Sequence, residues 1–233
     1  MKTNLIFRQL FDEVTWTYTY IIGDINSKQA LIIDPVKEKV DRDLQLISEL
    51  WLNLTHIFDT HIHADHVTWS WLIREKIWAK IVLWKWASIA NPDIIAEDCI
   101  TMKVGDINIK IIPTPGHTEG CSSFLVEDML FTGDTLLIRK TGRTDFQQWS
   151  AEKMFNSIKN KLYQLPDETK VYPWHDYMWY TMSTIWEEKK YNTRIKEDTT
   201  LENFTETMKN LKLDYPKYIE VAIPANMKLG MQG

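Results

Sequence analysis

The sequence predicts a mixed α/β protein in which helices cover two packed sheets. Two observations point there. Short apolar, β-favouring runs alternate with stretches of helical periodicity, the pattern expected of layered α/β domains. In addition, four of the β-like runs stop just before a His or an Asp.

The elements follow in order. Leu5-Ile6-Phe7 is strand-like, and Arg8 interrupts it. Tyr18 to Ile22 and Ala30 to Ile33 read as strands separated by a turn at Gly23-Asp24. Glu38 to Leu50 reads as an amphipathic helix, with Val40, Leu44, Ile47 and Leu50 on one face. Thr55 to Phe58 is a strand. Val67 to Ile77 reads as a helix, followed by a strand at Ile81 to Leu83. Ile109 to Ile112 is a strand, and Ser123 to Val126 with Met129 to Phe131 form a hairpin across Glu127-Asp128. Ala151 to Leu162 is a helix with Met154, Ile158 and Leu162 on one face. Lys170 to Pro173 is a short strand. Thr184 to Tyr191 and Glu202 to Leu211 are further helices. No repeat, linker or composition shift divides the chain. It reads as one domain over 1–233, with a helical tail from about 195.

Chemistry concentrates at His61-Ile62-His63-Ala64-Asp65-His66, which holds three of the six His. Imidazole nitrogen and carboxylate oxygen are the donors that Zn, Fe and Mn take. The other strand ends repeat the theme. Ile109 to Ile112 leads to His117, Met129 to Phe131 leads to Asp134, and Lys170 to Pro173 leads to His175. A lone His or Asp in a loop is usually solvated. Four strand ends with the same feature can converge on one point.

At this level the chain resembles a known family. His61-x-His63-x-Asp65-His66, then His117, Asp134 and His175, is similar to the metal positions of metallo-β-lactamase-fold hydrolases. Thr141-Gly142-Arg143-Thr144-Asp145-Phe146-Gln147-Gln148 resembles a block of the persulfide dioxygenases, which are iron-dependent enzymes of that fold. So do Tyr172-Pro173-x-His175-Asp176-Tyr177 and the tail, Tyr215-Pro216-Lys217 with Ala222-Ile223-Pro224-Ala225-Asn226. The resemblance runs from about Ile6 to Gly230. It implies a four-layer αβ/βα sandwich.

It also implies one Fe(II) per chain, held by His61, His117 and Asp134. A facial set of two His and one carboxylate leaves up to three positions for O2 and substrate sulfur. The implied reaction passes both atoms of O2 to the terminal sulfur of glutathione persulfide, releasing sulfite and glutathione. His63, Asp65, His66 and His175 then either orient ligands or bind a second metal. The second case would be a binuclear, zinc-type thioester hydrolase like glyoxalase II. Arg143 is a candidate for a substrate carboxylate, because its fork fits carboxylate bidentately, and equally a candidate for a structural pair with Asp145. Tyr177 is expected to hydrogen-bond substrate near the metal, and homodimers are common in the related family. Cys121 lies four residues past His117, where a persulfide relay competes with plain apolar burial.

Composition narrows the class. Net charge is −5 with no basic run, which disfavours nucleic acid as a partner. No apolar stretch nears the ~20 residues of a membrane span. The N-terminus has neither a secretory apolar run nor an Arg-rich transit pattern, so a cytoplasmic location is expected. Two cysteines, Cys99 and Cys121, imply no disulfide framework.

Tryptophan is the anomaly, with 11 Trp against 8 Gly. Trp51 and Trp78 follow predicted helix ends, where a left-handed residue, usually Gly, is common. Trp174 stands beside His175, where it is expected to press on that ring, and Trp69 and Trp71 are expected to crowd the helix after the His cluster. The related family carries Gly or another small residue at most such places, including those of Trp69, Trp71, Trp149, Trp179 and Trp186. Some bacteria read UGA as Gly, whereas a common alternative code reads it as Trp. Converting Trp16, Trp51, Trp69, Trp71, Trp78, Trp84, Trp86, Trp149, Trp174, Trp179 and Trp186 would bring Gly near its ordinary share of about 7%. If the Trp are genuine, a scaffold without catalysis becomes a third functional reading.

Overall fold

The computed structural model describes residues 4–85, 87, 92–97, 100–145, 150–215 and 218–230. The first half builds one six-stranded sheet from β1 (Leu5–Asp12), β2 (Thr17–Asp24), β3 (Gln29–Ile33), β4 (Asn53–Phe58), β5 (Lys80–Trp84) and β6 (Ile94–Ala96), in that spatial order. β1 to β3 run antiparallel, and β3 to β6 run parallel. Parallel neighbours need crossovers. Helices α1 (Val40–Glu49) and α2 (Ser70–Ile77) supply two of them.

The second sheet has the order β12 (Ser183–Thr184), β11 (Lys170–Pro173), β10 (Met129–Gly133), β9 (Ser122–Val126), β8 (Ile107–Pro113) and β7 (Thr101–Val104). Only β10 and β11 are parallel, and α3 (Ala151–Asn160) crosses between them. Helices α4 (Ile185–Tyr191), α5 (Leu201–Lys209) and α6 (Ile219–Asn226) complete the chain.

Both faces of each sheet are covered, so strand residues are buried whichever way they point. Tyr20, Ile22, Leu31, Ile33 and Phe58 face inward and pack on Ile109, Ile111, Phe124 and Phe131 of the other sheet. Their sequence neighbours Ile21, Ile32 and Ile57 point outward, onto Val40, Ile47 and Ile73 of α1 and α2. On the far side, Ile112, Leu130 and Val171 pack against Met154, Ile158, Phe204 and Met208. These are the four layers of the αβ/βα sandwich. Among the described residues no helix is long and apolar enough to cross a membrane.

Several element bounds differ from the sequence reading. The first strand continues through Arg8 to Asp12, because β1 is an edge strand and Arg8 points to solvent. α2 starts at Ser70 rather than Val67. Residues 67 to 69 are held instead by other segments, with Lys37 N donating to Val67 O at 3.2 Å and Thr68 N donating to Asn226 Oδ1 at 2.8 Å. α1 starts at Val40, after a 3-10 turn at Lys37–Lys39. α3 stops at Asn160, before a second such turn at Leu162–Gln164. The short strands β6, β7 and β12 and the Pro-containing α6 carried too little periodicity to be read.

Trp51 and Trp78 do sit in the left-handed region, at φ 57° and 60°, and so do Trp16 and Trp179, both at 60°. Trp51 and Trp78 are 83% and 88% exposed, so their rings gain little from packing. A left-handed residue with a Cβ costs about 1–2 kcal/mol, whereas glycine loses about 0.5–1 kcal/mol more backbone entropy on folding. The first effect is the larger. Trp51→Gly and Trp78→Gly should therefore each stabilise the fold by about 0.5–1 kcal/mol, read as a rise in urea midpoint at unchanged slope. An unchanged or lowered midpoint for both contradicts the assignment of strain.

Candidate metal centre

Four strands deliver the polar cluster to one rim. β4 ends at Phe58 and leads to His61; β8, β10 and β11 end at Pro113, Gly133 and Pro173 and lead to His117, Asp134 and His175. The two sheets are joined at this rim by Ser122 N donating to Thr60 O at 2.9 Å. Gly133 permits the approach. It has φ 52°, and a Cβ there would lie 2.5 Å from Thr60 Oγ1.

The structure brings His61, His117 and Asp134 together. One ligand atom from each lies within 4.8 Å of the others. The imidazoles are oriented from behind. The Thr60 hydroxyl donates to Asp34 Oδ2 at 2.9 Å, so it accepts from His61 Nδ1 at 2.9 Å. His117 Nδ1 lies 3.0 Å from Arg143 O, a carbonyl that can only accept. Both rings therefore carry their proton on Nδ1 and present the Nε2 lone pair to the cluster. Asp134 Oδ1 is buried without a hydrogen-bond partner among the described residues, and Asp134 Oδ2 lies 3.7 Å from His117 Nε2. Burial pushes the Asp134 carboxyl above the usual carboxylate range. Burial and the neighbouring imidazoles hold His61 well below the usual histidine range. A neutral His61 ring, the Nε2 of His117 and an unpartnered carboxylate oxygen are a donor set that fits a divalent cation.

A second group adjoins the first. His63, Asp65 and His66 also place ligand atoms within 4.8 Å. Asp65 lies 3.3 Å from both His66 Nδ1 and His175 Nε2, and His66 Nε2 and His63 Nδ1 have no hydrogen-bond partner among the described residues. His63 Nε2 faces Asp34 Oδ1 at 3.2 Å. His175 Nδ1 faces Trp16 O at 3.2 Å, so its proton is fixed there too. Burial opposes charge on His175, but Asp134 and Asp65 outweigh it and raise the group to about 9.

A cavity of about 510 Å³ opens over the cluster. Its wall includes Lys140, Arg143, Tyr177, Arg194 and Asp214. Tyr177 stacks on the His175 ring at 5.1 Å. The Arg143 fork is taken by Asp145, with two contacts of 2.7 Å, and Arg143 Nη1 donates to Asp214 O at 2.8 Å. Of the two roles expected for Arg143, the structural pair is thus the one formed. Cys121 is buried, which pushes its thiol up to about 12 and argues against a relay. Trp174 does not press chiefly on His175. It is fully buried, its ring lies 4.4 Å from His63 and 4.8 Å from His66, and the His175 ring is 6.2 Å away. Cys99, Trp86 and Phe146 to Trp149 lie outside the described residues, as do Pro216 and Lys217.

The sequence reading missed the residues that hold the loop. Asn226 is buried. Its Oδ1 accepts from Thr68 N, and its Nδ2 lies 2.8 Å from both His63 O and His66 O. The tail had served only as a mark of resemblance, and nothing local in it announced this clamp. Asp34 and Asp59 follow strand ends just as the ligands do. That signal was available and went unread.

A model of the metallo-β-lactamase superfamily matches residues 16–83 and 87–206. Human persulfide dioxygenase ETHE1, mitochondrial, is 42% identical over 230 residues, covering 98% of this chain and 90% of the human protein. This chain belongs to the persulfide dioxygenase family of the metallo-β-lactamase superfamily. The crystal structure of ETHE1 from Myxococcus xanthus superposes with a TM-score of 0.94 at 46% identity, covering 97% of this chain and all of that one. A metallo-β-lactamase from Staphylococcus aureus superposes at 0.90 with 27% identity, covering 98% of this chain and 73% of that one. As a member of this family, the chain is a metal-binding protein whose donor cluster lies at the shared rim.

Asn226 satisfies three backbone groups of the ligand loop at once. Asn226→Ala should lower metal affinity about tenfold, the scale of lost outer support around a metal. The check is metal retained per chain after dialysis against a graded chelator. Full retention by a folded variant would remove Asn226 from the account.

Proposed function

We propose that the chain oxidises a low-molecular-weight persulfide, glutathione persulfide, with O2 at a single Fe(II). The cluster of His61, His117 and Asp134 at the cavity floor carries this reading, and the naming of its relatives as persulfide dioxygenases supports it. The overall balance is persulfide plus O2 plus water giving thiol plus sulfite and protons. Iron bound by this facial set would supply the redox chemistry and adjacent positions for sulfur and O2.

The chain's own residues do the rest. Thr60 and the Arg143 carbonyl fix the proton positions of His61 and His117. His175, paired with Asp65, sets its ring edge 3.9 Å from Asp134 Oδ2 and so orients that side of the cluster. Tyr177 lies over His175 at the cavity wall, where its hydroxyl can meet the substrate. Val14, Leu137 and Leu213 give the cavity wall an apolar share against which a substrate chain can lie.

One observation favours a second reading. The His63, Asp65 and His66 group is itself a metal-sized cluster, as a binuclear thioester hydrolase of the glyoxalase II type requires. Anaerobic loading separates the two. The dioxygenase reading expects one iron per chain and O2 uptake equal to the glutathione persulfide consumed, with sulfite formed. Two metals per chain, thioester cleavage and no O2 uptake would replace it. Asp134→Asn should abolish both metal retention and O2 uptake, since an amide supplies no charge to offset the cation. Retained iron in that variant would exclude Asp134 as a ligand.

A further inference from the structure

A buried carboxylate outside the metal cluster holds the loop that carries part of it. Glu188 of α4 is fully buried, and donors take up both of its oxygens. Its Oε1 accepts from Ser183 Oγ at 2.5 Å and from Arg139 Nη1 at 2.7 Å. Its Oε2 accepts from Arg139 N and from Asn192 Nδ2, both at 2.8 Å. Arg139 sits in the left-handed region at φ 62°, a conformation that a residue with a side chain keeps only where its surroundings impose it.

The contacts continue along the chain. The Arg139 carbonyl accepts from Thr193 N at 2.9 Å and from Thr193 Oγ1 at 2.8 Å. The Lys140 carbonyl accepts from Asn192 Nδ2 at 2.9 Å, and the Thr141 carbonyl accepts from Arg194 Nη1. Three successive loop residues are thus tied to the segment 188–194. The same loop supports a candidate donor at each end. It starts at Asp134, whose carbonyl accepts from Gly142 N at 2.8 Å. It ends at Arg143, whose carbonyl faces His117 Nδ1 at 3.0 Å. Displacing residues 139–141 would disturb the Asp134 backbone and the His117 ring together. A buried ion pair is a weak source of net stability, because desolvation offsets the attraction. With every lone pair committed, what Glu188 fixes is the path of irregular backbone.

We propose that Glu188 is a positioning residue for the metal centre, acting through Arg139 and the 139–143 backbone on Asp134 and His117. The proposal rests on the reading of those two side chains as metal donors, and it is independent of the reaction that follows.

The test reads Co(II) binding by the full chain, through competition with a chelator and through the visible absorption of the bound ion, which reports coordination geometry. Glu188→Gln places an NH2 group where the pocket offers only donors. It should weaken Co(II) binding about tenfold, the scale of lost outer support, and change the spectrum. Ile47→Val, in the core behind the other sheet, is the control for general destabilisation. It should lower the urea midpoint and leave affinity and spectrum as in the parent. Thr193→Val removes one hydroxyl at the exposed rim of the frame. It should give a smaller change in the same direction, and it keeps the test open if Glu188→Gln fails to fold. Parent-like affinity and spectrum in folded Glu188→Gln overturn the proposal, as they do in Thr193→Val where that variant must stand in. An equal change in Ile47→Val overturns it too. His117→Ala tells the two layers apart. Parent-like Co(II) binding there removes His117 as a donor, whereas a loss there beside an unchanged Glu188→Gln overturns the positioning role alone.

A separate set of observations concerns tryptophan. Trp16, Trp51, Trp78 and Trp179 all adopt φ between 57° and 60°. For a bulky residue this conformation is an outlier. The hydrogen bonds here run through backbone atoms. Trp16 N donates to Asp12 O, Trp51 N to Ser48 O and Trp78 N to Arg74 O, and the Trp16 carbonyl faces His175 Nδ1. Trp174 is fully buried, and its indole Nε1 has no hydrogen-bond partner among the described residues. Its backbone donates to Gly133 O and accepts from Tyr18 N. Glycine makes every one of these bonds and takes the left-handed φ without strain. We infer that the natural chain carries glycine at these five positions, through UGA codons read as glycine. The gene should show TGA at all five, and peptides of the protein from its own cells should have glycine masses there. TGG codons, or tryptophan masses in those peptides, overturn the inference.

Discussion

The backbone bond from Ser122 N to Thr60 O holds the rim on which the site depends. It joins the end of β4 to the start of β9, and so fixes one sheet against the other at the place where His61 must meet His117 and Asp134. The interleaved core behind it, with Phe58 packed on Phe124 at 5.1 Å, stops the sheets from sliding. A close-packed interior transmits small displacements, so a shift between layers would move one donor away from the other two. The donor set is therefore a property of the sandwich as a whole.

Support behind the donors is layered in the same way. Asp34 ends β3 and accepts from both the Thr60 backbone and the Thr60 hydroxyl, at 2.6 and 2.9 Å. Thr60 in turn orders His61. Asp59 accepts from Ser70 and Thr68 and anchors the start of α2. These are short relays from strand end to strand end, and each member has its polar groups committed. Such commitment holds ring orientation where rotation would otherwise swap donor for acceptor.

Much of this was legible in the sequence, and the reasons for the rest are specific. Strands buried on both faces, such as Ala30 to Ile33, announce themselves by composition, and the donors announce themselves by following such strands. The positive φ of Trp51 and Trp78 was readable from their place after a helix. β12 has two residues, and α6 contains Pro224, so neither offered a period to detect. Asn226 clamps backbone groups 158 to 163 residues away in the chain. No local pattern can report a contact of that range. Arg143 illustrates a further limit: its place beside the cavity left open whether a ligand or Asp145 takes its fork, and only the fold shows the pair with Asp145.

Asn226 also sets an order of events during synthesis. His63 leaves the ribosome 163 residues before the amide that pins its carbonyl. Until then the loop from His61 to His66 has its imidazoles without a fixed frame. Before α6 docks, the carbonyls of His63 and His66 lack the amide that braces them, so the frame of the ligand loop is the last part of the site to be completed.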